Sequence, residues 1–146
     1  MQYRKMLIDD YEKVYDLWIN TKGMGLNDVD DSREGIERYL KRNPDTCFVC
    51  ESEGDIMGVI LCGHDGRRGY IYHTSVKEDC RRMGIGTKLV ELAMLGLKDE
   101  GISKCALVVF KRNELGNKFW EAQGFTSRED LVYRNMAIRE LVRIDT

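Results

Sequence analysis

The spacing of hydrophobic and polar residues changes several times along the chain, and each change predicts a new element. Dense β-branched and aromatic residues predict strands, whereas apolar residues at three- and four-residue spacing predict helices with one buried face. The predicted strands are 2–8, 46–52, 56–62, 70–76, 104–110 and a closing pair between 125 and 138. The predicted helices are 11–21, 33–41, 85–100 and 113–122.

The order of these elements predicts an α/β fold. Strands joined by a short turn, such as the one at 53–55, indicate antiparallel pairs, whereas the helix at 85–100 connects two strands as a crossover does. We therefore expect a mixed sheet with helices on both faces. The 146 residues suffice for one core and contain no linker or repeat, so a single domain spanning 1–146 is expected.

The charge balance narrows the choice of partners. Lys and Arg total 23 and Asp and Glu total 25, which gives a formal net charge of −2. A nucleic-acid-binding protein would favour a basic excess, so we expect no nucleic-acid partner. No apolar run is long enough to span a bilayer, and 1–5 does not open a signal peptide. A cytoplasmic protein without a membrane partner is expected.

The five cysteines are an odd number, which does not favour a disulfide framework. Cys47 and Cys50 have C-x-x-C spacing, but within a strand their side chains would point to opposite faces. No second pair and no suitable histidine follow. We therefore expect no metal site, and reduced, mostly buried thiols.

The segment 81–86, Arg-Arg-Met-Gly-Ile-Gly, lies between the predicted strand 70–76 and the helix that follows it. A helix N-terminus offers unpaired amides and partial positive charge, and glycines let a ligand approach the backbone. The segment therefore predicts a pyrophosphate cradle. A Rossmann loop would need a third glycine and a position after the first strand, and a P-loop would need Gly-Lys-Ser/Thr. An ordinary strand-to-helix turn is the remaining alternative.

Two motifs, in the right order, make the chain resemble the GNAT superfamily of acetyl-CoA-dependent N-acyltransferases. Arg81-x-x-Gly84-x-Gly86 resembles the family's Arg/Gln-x-x-Gly-x-Gly/Ala pattern. The stretch 113–125 resembles the later Asn-x-x-Ala-x-x-x-Tyr-x-x-x-Gly-Phe pattern, and the turn at 63–69 resembles that of the small bacterial YpeA-type members. The resemblance implies a central twisted mixed sheet of about seven strands flanked by about four helices.

The resemblance also implies that acetyl-CoA is the co-substrate. Amides of the loop would bind its pyrophosphate, and the strand ending at Val76 would pair with the pantetheine arm. The Val76 amide would polarise the thioester carbonyl, while Asn113 either contacts the arm or caps a helix. The residues implied to bind the co-substrate are Ser75, Val76, Arg81, Arg82, Met83, Gly84, Ile85, Gly86, Thr87, Asn113 and Trp120.

The residues for proton transfer depart from the family pattern. Trp120 occupies the position of a tyrosine acid, and its indole N–H is no useful proton donor, so it is expected to pack. Tyr70 replaces a glutamate that some members carry. The remaining catalytic candidates are His73, which is suited to proton transfer near neutral pH, and the tyrosines Tyr70, Tyr72 and Tyr133. Strand alternation places Tyr70 and Tyr72 on one face and His73 on the other.

The acceptor side of such folds is built by the first two helices and the last strands. Asp28, Asp30 and Asp31 lie there and would attract a cationic amine, unless they only cap the following helix. We expect a metal-free enzyme that transfers the acetyl group of acetyl-CoA directly to a primary amine of a small molecule or protein. The alternative is a catalytically weak or inactive module that binds and senses acyl-CoA. The oligomeric state is not fixed, and a homodimer remains open.

Overall fold

The computed structural model describes residues 1–145 and shows the expected α/β fold. Its helices are α1 (Tyr11–Ile19), α2 (Arg33–Arg42), α3 (Ile85–Asp99) and α4 (Glu114–Ala122). Its strands are β1 (Gln2–Lys5), β2 (Leu26–Asn27), β3 (Phe48–Ser52), β4 (Asp55–His64), β5 (Gly69–Val76), β6 (Cys105–Ala106) and β7 (Arg143–Ile144). Short 3-10 helices lie at Ile8–Asp10 and Glu78–Cys80. Within these residues, no helix combines the length and apolar character needed to cross a membrane.

The strands form two sheets. The main sheet has the order β1-β3-β4-β5-β6, in which β5 and β6 are parallel and all other neighbours are antiparallel. The small second sheet is the antiparallel pair of β2 and β7. The mixed sheet and the helices are confirmed, and the seven strands are divided five and two.

The closing strands predicted at 125–138 are absent from the described chain. Leu131, Met136 and Ile138 are 62%, 84% and 96% exposed, so no second layer covers these three side chains. An apolar pattern favours a strand only where a partner edge and a packed face are available. The prediction was wrong because neither is supplied here.

The C-terminal end pairs elsewhere. The Asp28 N–H donates to the Val142 carbonyl at 3.0 Å, and the Val142 N–H donates to the Asp28 carboxylate at 2.6 Å. These bonds hold β7 against β2. The predicted strand at 104–110 is likewise shortened to β6, because only its first residues pair with β5.

Hydrophobic clusters lie on both faces of the main sheet. We call the face covered by α1 and α2 the α1–α2 face, and the one covered by α3 the α3 face. Val59 belongs to the first cluster and the next residue, Ile60, to the second. Cys47 and Cys50 are divided in the same way, as predicted, and all five cysteines are free thiols.

A β-bulge interrupts β5. Ile60 of β4 lies opposite Thr74, whereas Cys62 lies opposite Ile71. Between these two pairs, β5 therefore contains one residue more than β4. An extra residue of this kind shifts the alternation of side chains along the bulged strand.

The bulge turns two consecutive side chains toward the α1–α2 face. The Tyr72 ring contacts Tyr39 of α2, with centroids 5.7 Å apart, and the His73 ring contacts Trp18 of α1 at 4.9 Å. The predicted placement of His73 on the face opposite Tyr70 and Tyr72 was therefore wrong. Strict alternation assumes an unbroken ladder, and the extra residue breaks it.

Candidate active site

The edge of β5 that faces β6 is free over most of its length. Parallel pairing joins only Gly69 to Cys105 and Tyr70 to Ala106. From there to Val76, β5 has no strand partner on this side within residues 1–145, although its other edge pairs with β4. Such an edge can bind an extended ligand that itself carries amide groups.

A solvent-exposed turn follows this edge and leads into α3. Gly84 has φ of +80°, a left-handed conformation that favours glycine, and a Cβ built there would meet no atom within 4 Å. Arg82 also has a positive φ of 69°. Arg82 and Met83 are exposed, and the Arg81 Nε–H donates to the Val76 carbonyl at 3.2 Å. The turn is thereby fixed to the end of β5 and remains accessible.

The N-terminus of α3 has no side-chain cap. Its first intrahelical bond runs from the Lys88 N–H to the Gly84 carbonyl at 3.0 Å. The amides of Ile85, Gly86 and Thr87 therefore have no acceptor within the helix. Three free amides and the positive end of the helix dipole favour an anionic group at this exposed position.

Asn113 acts as the cap of α4. Its side-chain oxygen accepts a hydrogen bond from the Gly116 N–H at 2.9 Å. A Cβ at Gly116 would lie 2.5 Å from the Asn113 side chain, so glycine gives the cap its space. This is one of the two roles that the sequence left open for Asn113.

Trp120 belongs to an aromatic group that packs α4 against α3. Its ring lies 5.0 Å from that of Phe119 and 5.3 Å from that of Phe125, measured between centroids. A Cβ at Gly86 would lie only 3.1 Å from the Phe119 ring. Gly86 therefore allows close approach of α4, and Trp120 is part of the packing behind the turn.

On the α1–α2 face, His73 is hydrogen-bonded to Asp31. The His73 Nε2 lies 2.7 Å from the Asp31 Oδ1, and the two side chains are 14% and 6% exposed. The other Asp31 oxygen accepts the Asn27 N–H at 2.8 Å. Because an ionised carboxylate only accepts hydrogen bonds, Nε2 carries the proton in this pair. The Nδ1 lone pair of a neutral imidazole is then available to take up a proton.

Three tyrosines pack together on the same face, and we call Tyr39, Tyr70 and Tyr72 the tyrosine cluster. The Tyr70 and Tyr72 rings are 4.7 Å apart, and Tyr39 packs edge-on against Tyr72. Burial raises the pKa of Tyr70 and of Tyr72, and the neighbouring Tyr133 raises both pKa values further. Tyr70 and Tyr72 are therefore neutral phenols near pH 7, able to donate hydrogen bonds.

The three aspartates predicted for the acceptor have different environments. Asp31 is buried and bonded to His73, and the Asp28 carboxylate is bonded to the Val142 N–H. The Asp30 carboxylate is exposed and accepts a bond from the Asn27 side-chain amide at 3.0 Å. Asp28 and Asp30 are thus exposed, whereas Asp31 is buried.

Sequence reasoning missed two residues that contact β5 on the α1–α2 face, one in α1 and one just after it. Trp18 packs on His73, and the Thr21 hydroxyl lies 2.7 Å from that of the buried Ser75. The Ser75 side chain is thus engaged with the α1–α2 face, and its backbone lies on the free edge of β5. The helical apolar spacing indicated that Trp18 is buried, but no sequence signal identified His73 as its neighbour.

Comparison with known sequences gives consistent matches. A family model for the acetyltransferase (GNAT) family matches residues 11–125. An acetyltransferase of Photorhabdus laumondii is 34% identical over 114 residues, which is 78% of either chain. One of Sodalis glossinidius is 30% identical over 132 residues, covering 90% of this chain and 92% of the relative.

Solved structures share the fold. The PaiA N-acetyltransferase of Thermoplasma acidophilum, in complex with coenzyme A, has a TM-score of 0.74 at 17% identity and covers 87% of this chain and 90% of its own. The diaminobutyrate acetyltransferase EctA of Paenibacillus lautus, in complex with diaminobutyric acid and coenzyme A, has a TM-score of 0.69 at 23% identity. That match covers 83% of this chain and 72% of the other.

Proposed function

Since this chain belongs to the acetyltransferase (GNAT) family, we propose that it transfers the acetyl group of acetyl-CoA directly to a primary amine. One observation carries the proposal: the free edge of β5 connects two chemically different sites. At its end lie the free amides of α3, and on the α1–α2 face of the same strand lies His73 with Asp31. An anionic donor and an amine acceptor could therefore meet at one strand.

The donor side fits a nucleotide-linked thioester. The amides of Ile85, Gly86 and Thr87 would bind the pyrophosphate, with charge supplied by Arg82. The free edge of β5 would pair with the amides of the pantetheine arm. When bound, acetyl-CoA supplies the activated acetyl group, and the Val76 amide would polarise its carbonyl oxygen. Related folds that bind coenzyme A support this assignment.

His73 would act as the general base. The reacting amine forms a bond to the acetyl carbon, the carbon–sulfur bond breaks, and the amine proton passes to His73 Nδ1 directly or through water. Asp31 would stabilise the imidazolium that forms, because it already accepts the Nε2–H. The departing thiolate is tolerable without an acid, since free thiols have a pKa of about 8.5.

A second function is favoured by one specific observation. Trp120 packs between aromatic rings at the position where the family motif carries a tyrosine acid. A chain without that acid could bind acyl-CoA as a sensor and turn it over poorly or not at all. Tyr70, on the α1–α2 face, and Tyr133 remain alternative proton donors.

Thiol release separates the two functions. The protein is incubated with acetyl-CoA and a panel of primary amines, and free CoA thiol is titrated over time. We expect release that depends on both the protein and an amine, with acetylated amine formed in equal amount. Tight CoA binding without thiol release from any amine would overturn the enzymatic proposal and favour the sensor.

A further inference from the structure

We propose that the tyrosine cluster and Asp30 bind a second positive charge on the acceptor, so that the substrate class is a diamine or polyamine. This inference rests on the proposed amine acetylation at His73. It concerns a site that the co-substrate does not use, because the cluster lies on the α1–α2 face.

The rings form a surface that is accessible to a ligand. Tyr72 is 55% exposed, although its ring contacts those of Tyr39 and Tyr70. Tyr70 packs against Tyr72, and Tyr39 supports it from α2. The face of an aromatic ring attracts cations, and in this cluster the Tyr72 ring is the one open to solvent.

The charge near the rings is negative, as the binding of a cation requires. Asp30 is exposed and adjoins Asp31, whose carboxylate is bonded to His73, the residue next to Tyr72. After burial and Tyr133, Asp30 also contributes to the raised pKa of the Tyr72 phenol. Asp31 is also acidic, but it is buried and engaged with His73. The carboxylate that can pair with a ligand cation is therefore that of Asp30.

The position of the cluster along β5 limits the distance between the reacting amine at His73 and the second ammonium at the rings. Tyr72 adjoins His73 in β5, and Tyr70 lies three residues away, which is about 10 Å at the rise of a strand. A reacting amine at His73 and a second ammonium at the rings would suit an alkyl chain of a few carbons. The rings would hold the second amine, which stays protonated, because the reacting amine must lose its proton before it attacks.

The first test compares 1,5-diaminopentane with pentylamine, which lacks the second charge. We expect the wild type to have a KM for the diamine at least about tenfold lower. Tyr72→Leu should lose that preference, with a diamine KM about 5- to 30-fold higher, whereas Tyr72→Phe keeps the ring and stays within about twofold of wild type. The pentylamine KM should change little in either variant.

The second test removes the negative charge of Asp30. Asp30→Asn should reduce the preference for the diamine severalfold, and Asp16→Asn, an exposed aspartate on α1, is the matched control. Because Asp30 is exposed, Asp30→Asn also serves if Tyr72→Leu fails to fold. Equal KM values for diamine and pentylamine in the wild type, or an unchanged preference in Tyr72→Leu and Asp30→Asn, would overturn the proposal.

A binding measurement separates this proposal from the transfer reaction. The CoA-bound protein is titrated calorimetrically with 1,5-diaminopentane and with uncharged 1,5-pentanediol. Preferential diamine binding that is lost in Tyr72→Leu supports the cluster even if no thiol is released, in which case only the enzymatic proposal fails. Thiol release from all amines without diamine preference would leave that proposal standing and overturn this one.

Discussion

The two sides of β5 differ in what they are made of. On the proposed donor side the groups that can bind are backbone amides of α3 and of the strand edge, at an exposed turn. On the α1–α2 face they are side chains, several of them buried, that hold one another: His73 by Asp31, and Ser75 by Thr21. A backbone site tolerates many side chains, whereas a side-chain site fails when one member is removed.

This difference predicts that the two sides can be damaged independently. The bulge in β5 is the structural reason, because it directs His73 to the α1–α2 face while the far edge of the same strand stays free. Substitutions on one side should therefore change catalysis and those on the other should change co-substrate binding.

The largest effect is expected for His73→Gln. Loss of a general base should lower kcat/KM about 100- to 10,000-fold, measured as initial thiol release with a reactive amine. His64→Gln is the matched control, because His64 is the chain's other histidine, pairs with Glu100 and lies opposite Gly69, four residues before His73. If both variants kept wild-type kcat/KM, His73 would not be the base.

Gly84→Glu tests the donor side. The new carboxylate would lie at the open turn and repel a pyrophosphate, so we expect CoA affinity to fall about 100-fold by calorimetry. Gly101→Glu is the control: Gly101 also has φ of +80° and open space, but it follows the C-terminal end of the same helix. An equal loss of affinity in both variants would point to backbone strain instead of the phosphate site.

Asp31→Asn should act through His73. The amide can no longer hold the imidazole as the carboxylate does, so kcat should fall about 10- to 100-fold while the acetyl-CoA KM stays constant. Steady-state kinetics over both substrates give this split. A change in both KM values with kcat intact would assign Asp31 to binding.

The smallest effect is expected on stability, from Asp10 at the start of α1. Burial alone would raise the pKa of Asp10, but hydrogen bonds from Arg4 and the Leu7 N–H outweigh it and hold the pKa below its ordinary 3.8. This stabilisation is present above pH 3.8 and is lost as pH falls through the lower folded pKa.

We therefore expect Asp10→Asn to cost about 1–3 kcal/mol of unfolding free energy near neutral pH. Urea unfolding at a series of pH values should show this difference unchanged down to about pH 5 and smaller below about pH 4. A difference that grows in acid would contradict the pKa direction.

The sequence predicted the local structure of the turn before α3 more completely than the arrangement on the α1–α2 face, for a physical reason. The turn from Arg81 to Gly86 is local, since its glycines and the following helix are adjacent in the chain. The His73–Asp31 bond joins residues 42 positions apart and depends on a bulge that no spacing reveals. Likewise, 125–138 has the composition of strands but lacks the covering layer that would make it one.

A crystal structure with CoA bound tests the division between the two sides most directly. We expect the pyrophosphate oxygens within hydrogen-bond distance of the Ile85, Gly86 and Thr87 amides, and the pantetheine arm along the free edge of β5. The sulfur should lie where an amine bound at the α1–α2 face can reach it, with His73 Nδ1 in contact directly or through one water. A pyrophosphate bound elsewhere, or a sulfur separated from His73 by packed side chains, would contradict this arrangement.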